Sequence, residues 1–341
     1  MFGFEYICGN EKLISHLQVT LKTGRIPHAS IFAGQSGLGK KLVANSFAKS
    51  ILCETDERAS GCCCSSCTAF DGGNHPDVIY VKAAGKTKAI GVNDVRAQMA
   101  AHMHVRPYRA HYKIFIVDHA DTLSVAAQNA LLKTIEEPTS FAIFMLLCEN
   151  HYMLLPTVLS RCVLFKLSPV SAEQAGRLLR SRVNASDAWQ RVCVDYAQGN
   201  IGRALALCQD EDFTMLRDQT MALAFAMCQH TSEGLFTYAK MFDQFKNRIQ
   251  EMLDILYMTH RDIAVLKGTG DERFIIQKDK KKELMAAAQM TTLAAVLKKC
   301  GAIALAKRQL TQNGNFQLVI QILLLSLAGH KGDDAKRGEI S

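Results

Sequence analysis

The chain has 341 residues, 48% hydrophobic, 21% charged and 7% aromatic, which excludes a disordered polymer and supplies apolar material for more than one core. Forty Lys and Arg against 32 Asp and Glu leave a formal net charge of +8, a mild excess compatible with nucleic acid nearby but too small to establish it. No apolar run is long and uncharged enough to span a bilayer, and Met1–Lys12 lacks a basic-then-apolar leader pattern, so a soluble cytoplasmic protein without a membrane partner is expected. Twelve cysteines in a reducing compartment point to metal binding before disulfide pairing.

In chain order, Ala29–Gly34, Asp77–Ala83, Lys113–Asp118, Ala142–Cys148 and Cys162–Leu167 read as strands. They are short, rich in β-branched and aromatic residues, and continuously apolar, the pattern of parallel strands buried on both faces. The clearest helix between them runs from Ser124 to Glu137, with Ser124 as N-cap, a stripe of Ala127, Leu131, Leu132 and Ile135, and Pro138 as its stop. This alternation predicts a doubly wound α/β domain over residues 1–167, carrying a thiol-rich insertion at 53–67. After Pro169 strand patterns give out. Residues 168–208 read as a small helical unit that includes Gly199-Asn200-Ile201-Gly202-Arg203. Residues 209–330 read as an all-helical domain with apolar faces such as Met252, Leu253, Leu256 and Ile263, interrupted by the charged run Lys278–Lys282. A polar, flexible tail is expected over 331–341.

Gly34-Gln35-Ser36-Gly37-Leu38-Gly39-Lys40 follows a predicted strand and opens a predicted helix. In that setting G-x-x-x-x-G-K is a phosphate cradle: Gly34, Gly37 and Gly39 let the backbone curl, the helix N-terminus adds positive potential, and Lys40 reaches the outer phosphates of ATP. The next position should offer a hydroxyl to Mg²⁺, but it is Lys41, an ammonium with no lone pair. Mg²⁺ binding is therefore doubtful, while nucleotide binding without efficient hydrolysis stays open. Ile114–Asp118 is an apolar strand ending in a carboxylate, as in the second nucleotide motif, with Asp118 facing the metal position. The adjacent glutamate that would activate water is replaced by His119. Two defects in one site predict impaired hydrolysis.

Five cysteines fall within Cys53–Cys67. Four thiolates around a structural Zn²⁺ need short knuckles brought together by a loop. Cys64 and Cys67 form one knuckle; Cys53 and either Cys62 or Cys63 complete the set, with Cys62 at the better distance. Nothing around them suggests an open catalytic metal site.

These stretches, with several others, resemble the bacterial clamp-loader subunits of the AAA+ class. The likeness is carried by Gly24-Arg25-Ile26-Pro27-His28-Ala29, the thiol loop with His75-Pro76-Asp77-Val78, Asn129-Ala130-Leu131-Leu132-Lys133-Thr134-Ile135-Glu136-Glu137-Pro138, and Leu154 to Cys162 with its Ser160-Arg161-Cys162 motif. More weakly, His260-Arg261-Asp262 and Asn313-Gly314-Asn315 resemble the family's collar domain. The resemblance implies an AAA+ phosphate-loop domain, a helical lid and a helical collar. It makes Arg161 an arginine finger supplied in trans to a neighbour's ATP, and Arg203 a second sensor. Cys148 departs from the polar sensor of the motor subunits, and one residue fewer than usual separates Cys62 from Cys64. The implied function is a stator subunit in a five-membered ring with gamma/tau motors and a clamp-opening delta subunit, loading a sliding clamp onto primed DNA during DNA replication. It has no polymerase chemistry of its own. Two alternatives stand beside it: an active gamma/tau-type motor, and a zinc-dependent nucleic-acid-binding module. The latter is disfavoured because the thiol loop offers only Arg58 as a cation and no aromatic for stacking.

Overall fold

Five parallel strands form the sheet: β1 (Ala29–Ala33), β2 (Val78–Val81), β3 (Lys113–Val117), β4 (Ala142–Cys148) and β5 (Val163–Lys166), in the order β2-β3-β4-β1-β5. Every neighbouring pair is parallel. The computed structural model describes residues 2–55, 62–83, 89–228 and 235–329; the expected tail at 331–341 and residues 56–61 of the thiol insertion, Arg58 among them, lie outside the described residues. The chain divides into two compact units, one of Met1–Asn184 with Ala197–Leu205 and one of Ala185–Tyr196 with Ala206–Ser341.

In the first unit, alternate strand residues build two cores, because successive side chains on a strand point to opposite faces. Ile31, Phe115, Val117, Phe144 and Leu146 pack on one face with Ala127, Leu131 and Ile135 of the Val125–Glu136 helix. Phe32, Ile114, Ile116, Met145 and Leu147 pack on the other with Val43, Phe47 and Leu52 of the Lys40–Leu52 helix. Burial on both faces is why β1, β3 and β4 read as unbroken apolar runs, whereas the edge strand β5 leaves Val163 and Leu164 exposed. The predicted helix start is seen directly: the Ser124 hydroxyl accepts a hydrogen bond from Ala127 N at 3.2 Å.

The second unit is helical throughout its described residues. Its longest helix, Ile249–Thr269, buries Met252, Leu253, Ile255, Leu256 and Ile263. It packs against the Phe213–Cys228, Lys281–Gln289 and Leu293–Thr311 helices. Asp262, fully buried, accepts from Ile276 N and Gln277 N at 2.9 Å each and pairs with Arg261. That arrangement anchors the start of the Lys278–Lys282 run. No described helix is long and apolar enough to cross a membrane.

Candidate functional site

A parallel sheet puts all strand C-termini at one end, and the loops there form the usual binding crevice of an open α/β sheet. Gly34–Lys41 leaves β1 at this end, Asp118 follows β3, and Cys148 ends β4. Gly34 N donates to Cys148 O at 3.1 Å, tying the loop to the neighbouring strand. Gly37 and Gly39 adopt φ of 82° and 88°, a left-handed region that side chains with a Cβ rarely occupy, so these two positions require glycine. Lys40 Nζ donates to Gly34 O at 2.6 Å and Gln35 O at 3.0 Å, which holds its ammonium across the loop. Lys41, one residue on, reaches Asp118 instead, with Nζ 3.1 Å from Oδ2. His119 is exposed, has φ of 54°, and donates its N–H to Asp118 Oδ1 at 3.1 Å.

The loop is seated from outside by the turn that starts the Ile201–Gln209 helix. Asn200 Nδ2 donates to Ser36 O at 2.6 Å, and Gly202 N donates to Gly37 O at 2.9 Å. A Cβ at Gly202 would lie 2.7 Å from Gly37 Cα and from Gly37 O, so glycine is needed for this close approach. Arg203, half-buried, begins the same helix, its N–H donating to Asn200 Oδ1 at 3.0 Å.

Burial, reinforced by Asp121, pushes the Cys148 thiol up to about 12, so it stays neutral near neutral pH. Asp121 was not singled out from sequence. Its Oδ2 accepts Glu149 N and Asn150 N, at 2.9 and 3.2 Å, and its Oδ1 is buried without a partner among the described residues. Only its position three residues past the strand-end carboxylate could have flagged it.

Arg161 lies at the opposite end of the sheet. Val163 begins β5 in register with Ser30, so Arg161 is level with the entrance to β1, whereas the phosphate loop leaves its exit. At about 3.3 Å per residue the six-residue offset separates them by about 20 Å. Arg161 cannot serve the phosphate loop of its own chain. Its guanidinium, 41% exposed, is held by Glu136 Oε1 at 2.9 Å, Thr157 O at 3.1 Å and Ser160 Oγ at 3.2 Å. Glu136 is the partner that sequence reasoning did not assign; it lies inside the Asn129–Pro138 stretch.

The thiol insertion forms a separate cluster. The sulfurs of Cys53, Cys62, Cys64 and Cys67 all lie within 4.8 Å of one another, and Cys63 is exposed and outside the group. Tetrahedral Zn–S bonds of about 2.3 Å would set the sulfurs about 3.8 Å apart, so the quartet fits an ion of that kind. Hydrogen bonds from the Thr55 hydroxyl, the Cys64 N–H and Cys53 lower the Cys62 thiol to about 6, favouring the thiolate a metal needs. Burial and the neighbouring sulfurs push Cys67 up, as expected where four thiols crowd with no cation between them. Behind the knuckle, His75 Nδ1 accepts from Asp77 N at 3.1 Å, which leaves the hydrogen of the neutral ring on Nε2, 2.8 Å from Ser66 Oγ. Ser66 in turn donates to Leu52 O at 2.7 Å, and Asp77 accepts Tyr108, Arg109 and Ala110 N–H groups at 2.6, 2.8 and 3.1 Å. The His75-Pro76-Asp77-Val78 stretch thus pins the frame of the thiol loop.

A family model described as the DNA polymerase III delta subunit matches residues 9–171. The chain is also 27% identical to the delta' subunit of DNA polymerase III from Bacillus subtilis, over 93% of this chain and 95% of that one. The chain is similar to clamp-loader subunits of DNA polymerase III. A tau subunit of DNA polymerase III from Salmonella typhimurium is 35% identical over 182 residues, 53% of this chain. The chain spans only 28% of that relative's length. Among solved structures, a DNA polymerase III gamma subunit-related protein from Thermotoga maritima aligns over 90% of this chain and 97% of its own, with 17% identity and a TM-score of 0.46.

Proposed function

We propose that this chain is a delta-prime-type stator of the bacterial DNA polymerase III clamp loader. It supports ATP-dependent loading of the sliding clamp onto primed DNA by presenting Arg161 to the ATP of a neighbouring motor subunit. The observation that carries this reading is the Lys41–Asp118 ion pair. It occupies the ground between loop and carboxylate that hydrolysis needs for a metal and an ordered water, and no glutamate follows Asp118. The position of Arg161, at the sheet end remote from its own loop, supports action in trans. A planar, permanently charged guanidinium suits a developing phosphoryl charge, and a trans finger is worth about 10³–10⁵ in rate at the site it serves. Arg203 would report on nucleotide from the lid turn, and Cys53, Cys62, Cys64 and Cys67 would hold a structural Zn²⁺. The ring partners would be the gamma/tau motors and delta. In the second unit, Leu318, Ile322 and Leu325 form an exposed apolar stripe on the Phe316–Ala328 helix, and Leu293 and Leu297 are exposed on the preceding one. Such unpartnered faces suit a collar packed against other subunits.

The test is Arg161→Ala in the reconstituted loader. Assembly is expected to stay intact while DNA-stimulated ATP turnover falls sharply; unchanged turnover overturns the assignment. The intact Lys40 and the tau-type relatives favour one alternative, an active motor. Brisk ATP hydrolysis by the isolated chain, abolished by Lys40→Ala, would establish that reading in place of the stator.

A further inference from the structure

We propose that the Gly34–Lys41 loop takes up a nucleoside di- or triphosphate without a divalent cation, with the Lys41 ammonium standing where the metal would sit. This rests on the reading above that the chain's own site is hydrolytically silent.

The residues do not fit Mg²⁺. Such an ion needs near-octahedral oxygen coordination at about 2.1 Å, supplied in this loop class by a hydroxyl directly after the loop lysine and by the strand-end carboxylate. Position 41 offers no oxygen, and its Nζ lies 3.1 Å from Asp118 Oδ2, the oxygen that would face the ion. The other oxygen, Oδ1, accepts the His119 N–H. Asp121, the next carboxylate along, spends Oδ2 on two backbone N–H groups. A divalent ion brought to Asp118 would have to displace an ammonium or sit against it.

The phosphate side of the site is nonetheless built. Gly37 and Gly39 keep the left-handed curl, and Lys40 is already fixed by two loop carbonyls. The lid turn draws the Ser36 carbonyl outward to Asn200, and a planar trans peptide then aims the Gly37 N–H the opposite way. Lys40 and Lys41 balance Asp118 and Asp121 around the loop, so the added positive potential at its mouth comes from the N-terminus of the Lys40–Leu52 helix. Lys41 is half-exposed and can release Asp118 when a polyphosphate arrives, because an exposed ion pair of this kind is weakly held.

The test is direct binding of fluorescent ADP and ATP analogues to the full chain, in excess EDTA and in excess Mg²⁺, with Mn²⁺ paramagnetic resonance as a second readout. The expected result is a dissociation constant that differs by less than about twofold between the two conditions, with no bound Mn²⁺ signal. Lys41→Thr, which restores the hydroxyl, should make binding metal-dependent by about tenfold or more and create a Mn²⁺ signal. Lys41→Met should weaken binding equally in EDTA and Mg²⁺. A wild-type chain that loses about tenfold in EDTA overturns the proposal, and so does one that binds neither nucleotide in either condition. Neither failure touches Arg161, whose effect on loader turnover is read separately; only that result decides the stator reading.

Discussion

Substituting Gly202 by alanine tests whether the lid turn is seated on the phosphate loop, because the contact reverses the sign of an ordinary effect. A glycine-to-alanine change inside a helix normally stabilises by about 0.5–1 kcal/mol, since alanine restricts the unfolded chain. At Gly202 the new Cβ would lie 2.7 Å from Gly37 Cα and Gly37 O, and backbone atoms cannot rotate aside. The turn must lift, and the Gly202 N–Gly37 O and Asn200 Nδ2–Ser36 O hydrogen bonds are lost with it. At about 0.5–1.5 kcal/mol each, less the helix gain, the net loss centres on about 1 kcal/mol. For a unit of this size that lowers the melting temperature by about 2–4 °C. Gly176→Ala is the matched control within the same unit, because a Cβ there meets only the Arg180 guanidinium at 3.9 Å; it should raise the melting temperature. Differential scanning calorimetry of both variants reads the two signs together. A Gly202→Ala protein that melts higher, in step with Gly176→Ala, would refute the close approach and with it the seating of the loop.

Asp77→Asn replaces an acceptor of three backbone N–H groups by a side chain that can satisfy at most part of them, and should cost about 2–4 kcal/mol in urea unfolding; a change below about 0.5 kcal/mol would dismiss the pinning role. Metal analysis should find one Zn²⁺ per chain, lost in Cys67→Ser but kept in Cys63→Ser; equal loss in both would count against the quartet. His260 is fully buried, and burial lowers it to about 4, so the unfolded chain binds its proton first as pH falls. Its stabilising contribution is whole above about 6.5 and drains away toward 4, so wild type should lose about 3 kcal/mol across that window relative to His260→Gln. Trp189, in the same unit, reports the unfolding by fluorescence, and parallel pH profiles of the two proteins would remove His260 as the cause.

The sheet was legible because its three central strands are buried on both faces and the edge strands β2 and β5 are nonetheless β-branched and aromatic-rich. Each of the five apolar runs recurs as a strand to within a residue or so at its ends, and Ser124 caps the helix it was expected to cap. Local spacing also favoured Cys62 over Cys63 in the cluster. Other features depend on residues far apart in sequence. Asn200 meets Ser36 across 164 positions, and Glu136 meets Arg161 only because the chain segments entering β4 and β5 share one end of the sheet. No periodicity encodes such meetings. Lys41 was readable as a defect, but its ion pair with Asp118 depends on β1 and β3 flanking β4 and so required the fold.

The parallel sheet also explains how a proposed finger can persist beside a site proposed to be silent. The groups that would bind phosphate in this chain hang on the exits of β1, β3 and β4, whereas Arg161, Glu136 and Thr157 sit at the entrances of β4 and β5. The two sets share no side chain and no hydrogen bond. Replacing a hydroxyl by Lys41 therefore leaves the arginine geometry untouched. The new ammonium also neutralises Asp118 locally, so loss of a metal need not leave an unpaired carboxylate between the loop and β3. In a fold with catalytic and donated groups on one loop the same substitution would disturb both. Here the length of β1 and β5 keeps the two ends apart, so a change at one end need not disturb the other.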